Sequence, residues 1–250
     1  MEERFYTEYA ELQDRHWWFV GRRRLIGAVL EAELPVAGPS ARRVLDVGCG
    51  TGTMLGELRR FGDVHGVDTE SAAVEFCHSQ GEAQVELAAG GEVPHPDDSF
   101  DLVTLLDVIE HVDDDQVLLE EAKRVTAPGG SVFVTVPAYG WMWGAQDEIA
   151  HHKRRYTRPQ LRDSLARAGF RVERASYFNT LLFPPIAAIR FARRVLPEPA
   201  ELRSDFHYNE PGRLNAALTR VFARESAIVS KRDLPFGVSI LALATLPATA

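Results

Sequence analysis

Cysteine is scarce in this sequence. Its 250 residues include two, Cys49 and Cys77, and neither belongs to a CxxC pair or to a cluster of cysteine and histidine. This argues against a disulfide framework and against a zinc site of the usual spacing, and we expect no bound metal. Two isolated cysteines are typical of a reducing compartment, so a cytoplasmic location is expected.

Long apolar runs are missing as well. No stretch of about 18 uninterrupted apolar residues exists, which argues against a membrane-spanning helix. Residues 178–192 come closest, but Pro184 and Pro185 interrupt them. The first residues are charged and contain no apolar signal core, so no secretory leader is expected.

Positive charge is limited too. Lys and Arg number 28 against 36 Asp and Glu, which gives a net charge of -8. A chain this acidic repels phosphate backbones, so we expect no nucleic-acid partner. A short basic run near residue 153 weakens that argument locally.

What the sequence does contain is a regular alternation of strand-like and helical patterns. The predicted strands are the run RRVLDVG and residues Val64–Asp68, Gln84–Ala88, Phe100–Leu106, Ser131–Val136, Phe170–Tyr177 and Phe236–Leu246. The predicted helices are residues 12–33, Thr51–Phe61, Glu70–Ser79, Asp115–Val125 and a segment that Thr157 opens and Gly169 ends. This alternation predicts an α/β fold, with a parallel sheet and helices on both faces.

We interpret residues 1–250 as a single domain with four parts. Residues 1–40 form an N-terminal helical segment, and residues 41–177 form the core. Residues 178–234 are predicted to be a mostly helical insertion, and residues 235–250 carry the final strand. Within the core, residues 138–156 are predicted to form an aromatic and basic loop.

The strongest motif is the run VLDVGCGTG at residues 44–52, where a strand turns sharply into a helix. Its glycines allow positive φ and let a ligand approach the backbone. The spacing is G-x-G-x-G, whereas a dinucleotide-binding dehydrogenase uses G-x-G-x-x-G. Asp46 precedes the first glycine; it would repel a pyrophosphate and attract the ammonium group of an amino acid. A purely structural turn is the alternative.

A second acid follows at the end of the second predicted strand. Asp68 lies 20 residues after Gly48. An acid at this place accepts hydrogen bonds from ribose hydroxyls. An acid at this place can also simply cap the next helix. Asp68 is therefore a specific signal for ligand binding only in combination with the glycine turn.

Together these motifs resemble those of class I S-adenosylmethionine-dependent methyltransferases, especially the small-molecule group that includes ubiquinone-biosynthesis-type enzymes. The motifs that carry the resemblance are VLDVGCGTG, GVD, FDLVTLLDVIEHV and APGG followed by SVFVTVP, with HKRRYTRPQLRDSLARAGF and HWWFVGRRR matching more loosely. The resemblance implies a Rossmann-like, seven-stranded, mostly parallel sheet with the last strand antiparallel. It also implies S-adenosylmethionine as the cofactor.

The resemblance assigns cofactor-binding residues one by one. It implies that the methionine part of the cofactor contacts the glycine turn and the end of the fourth strand, through Asp46, Gly48, Cys49, Gly50, Leu106 and Asp107. The ribose would bind Asp68, and the adenine would contact Thr69, Glu92 and Val93. The N-terminal segment is expected to close over the cofactor through Trp18 and Arg22. Ala89 departs from the pattern, because relatives carry an acid near this position for the adenine amino group.

Three histidines are candidate catalytic residues. His111 matches the EHV signature and is expected at a helix start, where packing is the alternative role. His151 and His152 follow the fifth strand, in a loop expected to overhang the reacting methyl group; a solvated charge run is the alternative. In the same loop Trp141, Trp143, Arg155 and Tyr156 are expected to face the acceptor, although the aromatic residues could instead cover a core edge.

These observations predict methyl transfer to an oxygen, nitrogen or carbon atom of a small molecule that is amphiphilic or anionic. A methyltransferase acting on RNA or protein is the first alternative, and a cofactor-binding cyclase or regulator that does not methylate is the second. The sequence leaves the oligomeric state open, a homodimer included. Pro185–Leu196 combines apolar residues with arginines, so a weak peripheral membrane contact stays open beside a partly buried helix.

Overall fold

A seven-stranded sheet forms the centre of the computed structural model, which describes residues 10–34, 42–195 and 212–248. The strands are β1 (Arg43–Val47), β2 (Asp63–Asp68), β3 (Val85–Leu87), β4 (Phe100–Leu106), β5 (Thr126–Pro137), β6 (Arg171–Phe178) and β7 (Ser239–Thr245). Their order is β3-β2-β1-β4-β5-β7-β6. Strand β7 is antiparallel to both of its neighbours, and the remaining pairs are parallel. The predicted fold class is confirmed.

Helices cover both faces of the sheet. They are α1 (Trp17–Glu33), α2 (Leu55–Leu58), α3 (Ser71–Ser79), α4 (Asp115–Val125), α5 (Ala145–Ile149), α6 (Arg158–Arg167), α7 (Phe183–Val195) and α8 (Arg213–Val229). Side chains of β7 alternate between two cores, as the pleat of a strand requires. Ile240 packs in the core with α4 and α6, whereas Leu241 packs in the core with α1, α2, α3 and α8.

Two segments differ from the sequence-based expectation. The predicted turn at Pro128–Gly130 lies inside β5, because the ladder with β4 shifts register there and the chain continues as a strand. The predicted loop 138–156 contains a 3₁₀ turn, Gly140–Met142, and helix α5. This helix forms because the buried carboxylate of Asp147 accepts a hydrogen bond from the Gly144 N–H and caps the first turn (2.8 Å).

Helices α1 and α8 pack tightly against each other. Gly21 of α1 lies against the ring of Phe222 in α8, and a β-carbon at Gly21 would stand 2.3 Å from Cδ1 of that ring. Asn215 of α8 accepts a hydrogen bond from the Trp17 N–H (2.8 Å). Helix α8 therefore contributes to one of the two cores, although it lies within the predicted insertion 178–234, of which residues 196–211 are outside the described part. None of the described helices is long and apolar enough to cross a membrane.

The α1–α8 contact predicts opposite effects for two glycine-to-alanine substitutions. Gly21→Ala should lower the free energy of unfolding by about 1–3 kcal/mol, because Phe222 is fully buried and cannot move aside. Gly56→Ala in α2 is the matched control, because no atom lies within 4 Å of its added β-carbon; it should gain up to about 1 kcal/mol from helix propensity. Urea unfolding measures both, and equal effects would contradict the packing argument.

Candidate active site

A cavity of about 780 Å³ opens at the carboxyl ends of β1 and β4. The strand order reverses between these two strands, and ligands of open α/β sheets bind at such a point. Side chains of α1, the glycine turn, α7 and α8 complete its wall. It is the natural place for a small ligand.

The glycine turn approaches the cavity with its backbone. Gly48 and Gly50 have φ of 71° and 54°, a region in which other residues are strained. A β-carbon at Gly48 would meet Val108 Cγ2 at 2.8 Å. The N–H groups of Gly48 and Cys49 donate to the Val67 carbonyl at 2.8 and 3.0 Å, which fixes the turn on β2. All three residues of the turn line the cavity.

Asp46 places a carboxylate at the bottom of the cavity. Its side chain is 2% exposed and accepts a 2.6 Å hydrogen bond from Thr104 Oγ1. Burial raises the pKa of Asp46 to about 7, although the Thr104 hydrogen bond and the charge of Arg22 oppose the rise. A cationic ligand group would favour the ionised form.

Arg22 brings a positive charge from α1 to the same cavity. Its Nη2 forms an ion pair with Asp107 (2.9 Å) and donates to Thr135 Oγ1 (3.1 Å). The buried Nε has no hydrogen-bond partner among the described residues. Asp107 has a φ of 60° and sits at the end of β4. A ligand carboxylate would satisfy the unused Nε donor, so the amino-acid end of the predicted cofactor fits here.

The residues assigned to the ribose and adenine lie outside the cavity wall. Asp68 accepts hydrogen bonds from the Gly50 N–H (2.8 Å) and the Glu70 N–H (3.0 Å), and so supports the glycine turn. Thr69 and Glu92 are exposed. Val93 is buried in the core, and its N–H donates to Glu121. The contacts to ribose and adenine that the sequence assigned to these residues stay predictions. Because the Val93 side chain is buried, it has little surface to offer the adenine ring.

Glu110 is a cavity residue that the sequence reasoning missed. It is fully buried, and neither carboxylate oxygen has a hydrogen-bond partner among the described residues. Burial, helped by the charge of Asp107, raises the pKa of Glu110 well above its usual value. Glu110 lies in the turn between β4 and α4, and so does His111, which the sequence had placed at a helix start. Burial, and then the charge of His152, lowers the pKa of His111.

Asp147 organises the segment that carries the other two histidines. Its buried carboxylate accepts hydrogen bonds from His152 Nδ1 (2.8 Å) and from Arg155 Nε (2.8 Å). Burial alone would raise the pKa of Asp147, but these partners lower it to about 2. His152 lines the cavity, whereas His151 is exposed, has a φ of 56° and does not line it.

The predicted acceptor wall needs correction. Tyr156 is buried and donates a 2.9 Å hydrogen bond to Asp115, so it belongs to the core below the cavity. Trp141 is 42% exposed and stacks on Tyr139, and Trp143 donates to Glu148; neither lines the cavity.

Arg155 does line the cavity, but its guanidinium is already bound to Asp147 and to the Ala138 carbonyl. Its basic neighbours are paired as well, Lys153 with Asp113 (3.3 Å) and Arg154 with Asp115 (3.7 Å). This basic run therefore does not present free charges for an anionic acceptor. The wall opposite the sheet consists instead of Trp18 together with Pro185, Ile186 and Ile189 of α7.

Known proteins resemble this chain in sequence over part of its length. A family profile described as "Methyltransferase domain" matches residues 45–134. Ubiquinone biosynthesis O-methyltransferase of Albidiferax ferrireducens is 30% identical over 142 residues, 51% of this chain and 55% of that protein. The same enzyme of Cupriavidus pinatubonensis is 32% identical over 107 residues, 40% of this chain and 43% of that protein. The chain thus matches about half the length of these curated relatives.

Solved structures share the fold over nearly the whole chain. A methyltransferase in complex with the Haloferax volcanii Trm112 activator superposes with a TM-score of 0.61, at 20% identity, over 98% of this chain and 96% of that chain. A methyltransferase from Thermotoga maritima gives a TM-score of 0.58 at 20% identity, over 98% and 97%. The [4+2]-cyclase SpnF gives 0.56 at 22% identity, over 91% and 81%.

The domain match covers most of β1, the glycine turn, β4 and most of β5, and the glycine turn and the ends of β1 and β4 line the cavity. The strand order and the antiparallel β7 extend the likeness beyond that match. In its sheet and its glycine turn, and in the methyltransferase-domain match over residues 45–134, this chain resembles the class I S-adenosylmethionine-dependent methyltransferases.

Proposed function

We propose that this protein binds S-adenosylmethionine in the cavity and transfers its methyl group to a small-molecule acceptor. The observation that carries the proposal is that buried Asp46 and Arg22 both line the cavity, which suits the ammonium and carboxylate groups of an amino acid. When bound, the cofactor supplies a methyl group that its sulfonium sulfur makes electrophilic.

The chain's own residues would bind and orient. Thr104 holds the Asp46 carboxylate in place, and Asp107 holds the Arg22 guanidinium, so both groups are positioned before a ligand arrives. Preorganised charges lose little freedom on binding. The aromatic ring of Trp18 and the Ile186 side chain of α7 would cover part of a bound ligand. Alignment of this kind contributes roughly 7–11 kcal/mol to bimolecular reactions.

The acceptor would bind on the side of α7 and α8. Ile186 and Ile189 of α7 and Leu218 of α8 give this side an apolar surface, and Glu110, His111 and His152 give the opposite edge polar groups. That combination favours a small amphiphilic molecule in the cytoplasm over RNA or protein. The names of the curated relatives point the same way, because they describe O-methylation of a small molecule.

We further propose that separate segments bind the cofactor, close over it and select the acceptor, as the sequence predicts, with one change. Residues 41–177 would hold the cofactor, residues 1–40 would close over it, and α7 in the insertion would select the acceptor. Gln13, in a short helical stretch before α1, accepts a hydrogen bond from Thr51 beside the glycine turn, which supports the closing role. Phe222 and Val229 of α8 pack into the core, so we assign selection mainly to α7, with Leu218 as the contribution of α8.

A methyl-transfer screen tests the proposed function. The purified protein is incubated with S-adenosylmethionine labelled on its methyl group, with small-molecule extract, bulk RNA and bulk protein in separate reactions. We expect label in the small-molecule fraction, and less of it with Asp46→Asn at the same cofactor concentration. Label in RNA or protein would show a macromolecular acceptor. Cofactor binding without any transfer would favour the non-methylating alternative.

Cofactor affinity should depend on pH through Asp46. Because burial raises its pKa to about 7, the folded protein carries mostly neutral Asp46 at about pH 6 and mostly ionised Asp46 at about pH 7.5. A cationic ligand binds the ionised form, so the affinity should rise roughly five- to tenfold between these values, with proton release at the lower one.

Calorimetric titration in buffers of different ionisation enthalpy measures both quantities. Asp46→Asn should remove the pH dependence and weaken binding by at least about tenfold, the loss of a hydrogen bond to a charged group. Asp163→Asn, which changes an exposed carboxylate on α6, is the control. A wild-type affinity that is flat across this range would contradict the role of Asp46.

Two substitutions on α7 test acceptor selection. Ile189 and Phe191 are 53% and 66% exposed, but only Ile189 lines the cavity. Ile189→Ala should raise the KM for the acceptor about threefold or more through lost apolar contact, and leave cofactor affinity unchanged. Phe191→Ala should change neither. Steady-state kinetics with the acceptor from the screen measure both KM values. An equal change in the two variants would contradict a role of α7 in acceptor binding.

A further inference from the structure

Two histidines and a glutamate converge beside the edge strand β3, away from the cavity. His65 lies in β2 and Glu86 in β3, and His95 lies in the segment that leads into β4. Each residue offers one ligand atom, and these atoms all lie within 4.8 Å of one another. None of the three residues lines the cavity. The group is therefore separate from the site of the proposed function.

The close contact between His95 and Glu86 is not a hydrogen bond. His95 Nε2 lies 3.2 Å from Glu86 Oε1, a distance at which a hydrogen bond could form. Yet this nitrogen is buried and has no hydrogen-bond partner among the described residues, so the two atoms lack the required alignment. A buried polar atom without a partner is costly to stability, and such atoms are rare in folded proteins. A cation that binds both atoms would remove that cost.

The spacing of the group suits a tetrahedral ion. Zn²⁺ binds histidine nitrogen and carboxylate oxygen at about 2.0–2.2 Å, which places two ligand atoms of a tetrahedral site roughly 3.3–3.5 Å apart. The 3.2 Å between His95 Nε2 and Glu86 Oε1 is close to that separation. The rings of His65 and His95 are inclined at 84° with their centroids 5.4 Å apart, which leaves room for one ion between their nitrogens.

Aromatic packing explains only part of this arrangement. The rings of His65 and His95 both meet the ring of Phe100 edge-on, at centroid distances of 5.6 and 4.9 Å. Because Phe100 is fully buried, these contacts fix the direction of both imidazoles. They give no role to the Glu86 carboxylate and no partner to the buried His95 nitrogen. An ion accounts for both.

Burial prepares His95 to be a metal ligand. It lowers the pKa of His95, against the opposing charge of Glu86, so the imidazole is neutral at pH 7. A neutral imidazole keeps the lone pair that a metal ion needs, and no proton has to leave when the ion binds.

Two arginines near the group would repel a cation, but acids offset them. Arg124 is paired with two carboxylates, at 2.7 and 2.8 Å. The charge of Arg43 is left. Against it stand Glu86 and Asp63, whose Oδ2 lies 3.5 Å from His65 Nε2. The local charge therefore permits a divalent ion.

We propose that His65, Glu86 and His95 bind a divalent transition-metal ion of the Zn²⁺ class. Two imidazole nitrogens and one carboxylate oxygen form a donor set that Zn²⁺ accepts. The Glu86 side chain is 48% exposed, so water can reach the remaining position. The sequence argued against a metal because its cysteines lack the usual spacing, whereas these ligands include no cysteine and span 30 positions.

The ion would join three segments at the edge of the sheet. Strand β3 has three residues and stands last in the strand order. Between β3 and β4, Gly90 and Gly91 have φ of 69° and 85°, and glycine gives this segment backbone freedom. An ion on His95 would hold the segment against β2 and β3. Its role is therefore structural, and local opening of residues 88–97 should become rarer when it binds.

Metal binding is tested on the full chain, without cofactor and without an affinity tag. Protein treated with chelator and then dialysed is titrated with Zn²⁺ in a calorimeter, and with Co²⁺ while the visible ligand-field bands are recorded. We expect one ion at this site. At a free ion concentration of about 100 times Kd, the thermal unfolding midpoint should rise by roughly 5–10 °C. Amide hydrogen exchange of residues 88–97 should slow under the same conditions.

Substitutions assign the ion to these residues. Glu86→Gln and His95→Gln should each lower the Zn²⁺ affinity by at least the roughly 10–100-fold that loss of an outer partner costs, and alter the Co²⁺ bands. Glu86 is exposed, so its variant should fold normally, and the metal-free unfolding midpoint checks this. His78→Gln is the matched control, because His78 lies in α3, contacts the Val85 carbonyl (2.7 Å) and belongs to no such group. It should leave the affinity unchanged.

Two results would overturn the proposal. One is wild-type protein without stoichiometric binding. The other is binding that His152→Gln removes while Glu86→Gln and His95→Gln keep it, because Glu110, His111 and His152 form the other group of possible ligands among the described residues. The titrations use neither cofactor nor acceptor. If Zn²⁺ binds here and the labelled-methyl screen is negative, the proposed function has failed and this site stands.

Discussion

The contact between Gly21 of α1 and Phe222 of α8 sets the position of the N-terminal helix over the end of the sheet. Phe222 is buried among aromatic rings that include Trp17 and Trp18, so the helix can approach it only where a side chain is absent. Arg22 is the next residue after Gly21. The backbone contact that brings the helices together therefore also delivers the guanidinium to the cavity.

The acidic side chains in and behind the cavity differ in whether a cation pairs with them. Asp107 is paired with Arg22, and Asp147 behind the wall is paired with Arg155. Asp46 and Glu110 have no ion pair among the described residues, and burial raises the pKa of both. Two buried acids that form no ion pair cost stability in the folded protein, and such groups are typical of a site that receives positive charge. The ammonium group of the proposed cofactor would meet Asp46.

The sequence predicted the elements whose pattern is locally complete. β4 and α4 have the bounds expected from periodicity, because a buried strand and a capped amphipathic helix each carry their own signals. The floor of the cavity was predictable for a similar reason, since strand β1, Asp46 and the glycines of the turn are adjacent along the chain. Asp46 and Gly48 both line the cavity as expected.

The residues that the sequence misjudged depend on contacts between distant segments. Tyr156 reads as a loop aromatic, but its partner Asp115 lies 41 positions away and draws it into the core. The basic run from Lys153 reads as exposed charge until the acids beside it in space are known. Glu110 precedes a histidine in a recognised signature, yet nothing in the sequence shows that its carboxylate is buried without a partner.

His152 and Asp147 form the arrangement of a general base with its orienting carboxylate. Asp147 is itself fixed by Arg155 and by the Gly144 N–H, so the ring of His152 is held in one orientation before any ligand arrives. His152 lines the cavity whereas His151 does not, so of the two histidines that the sequence offered, only His152 can reach a ligand bound there. The sequence could name both histidines, but the choice between them depends on how the segment folds around Asp147.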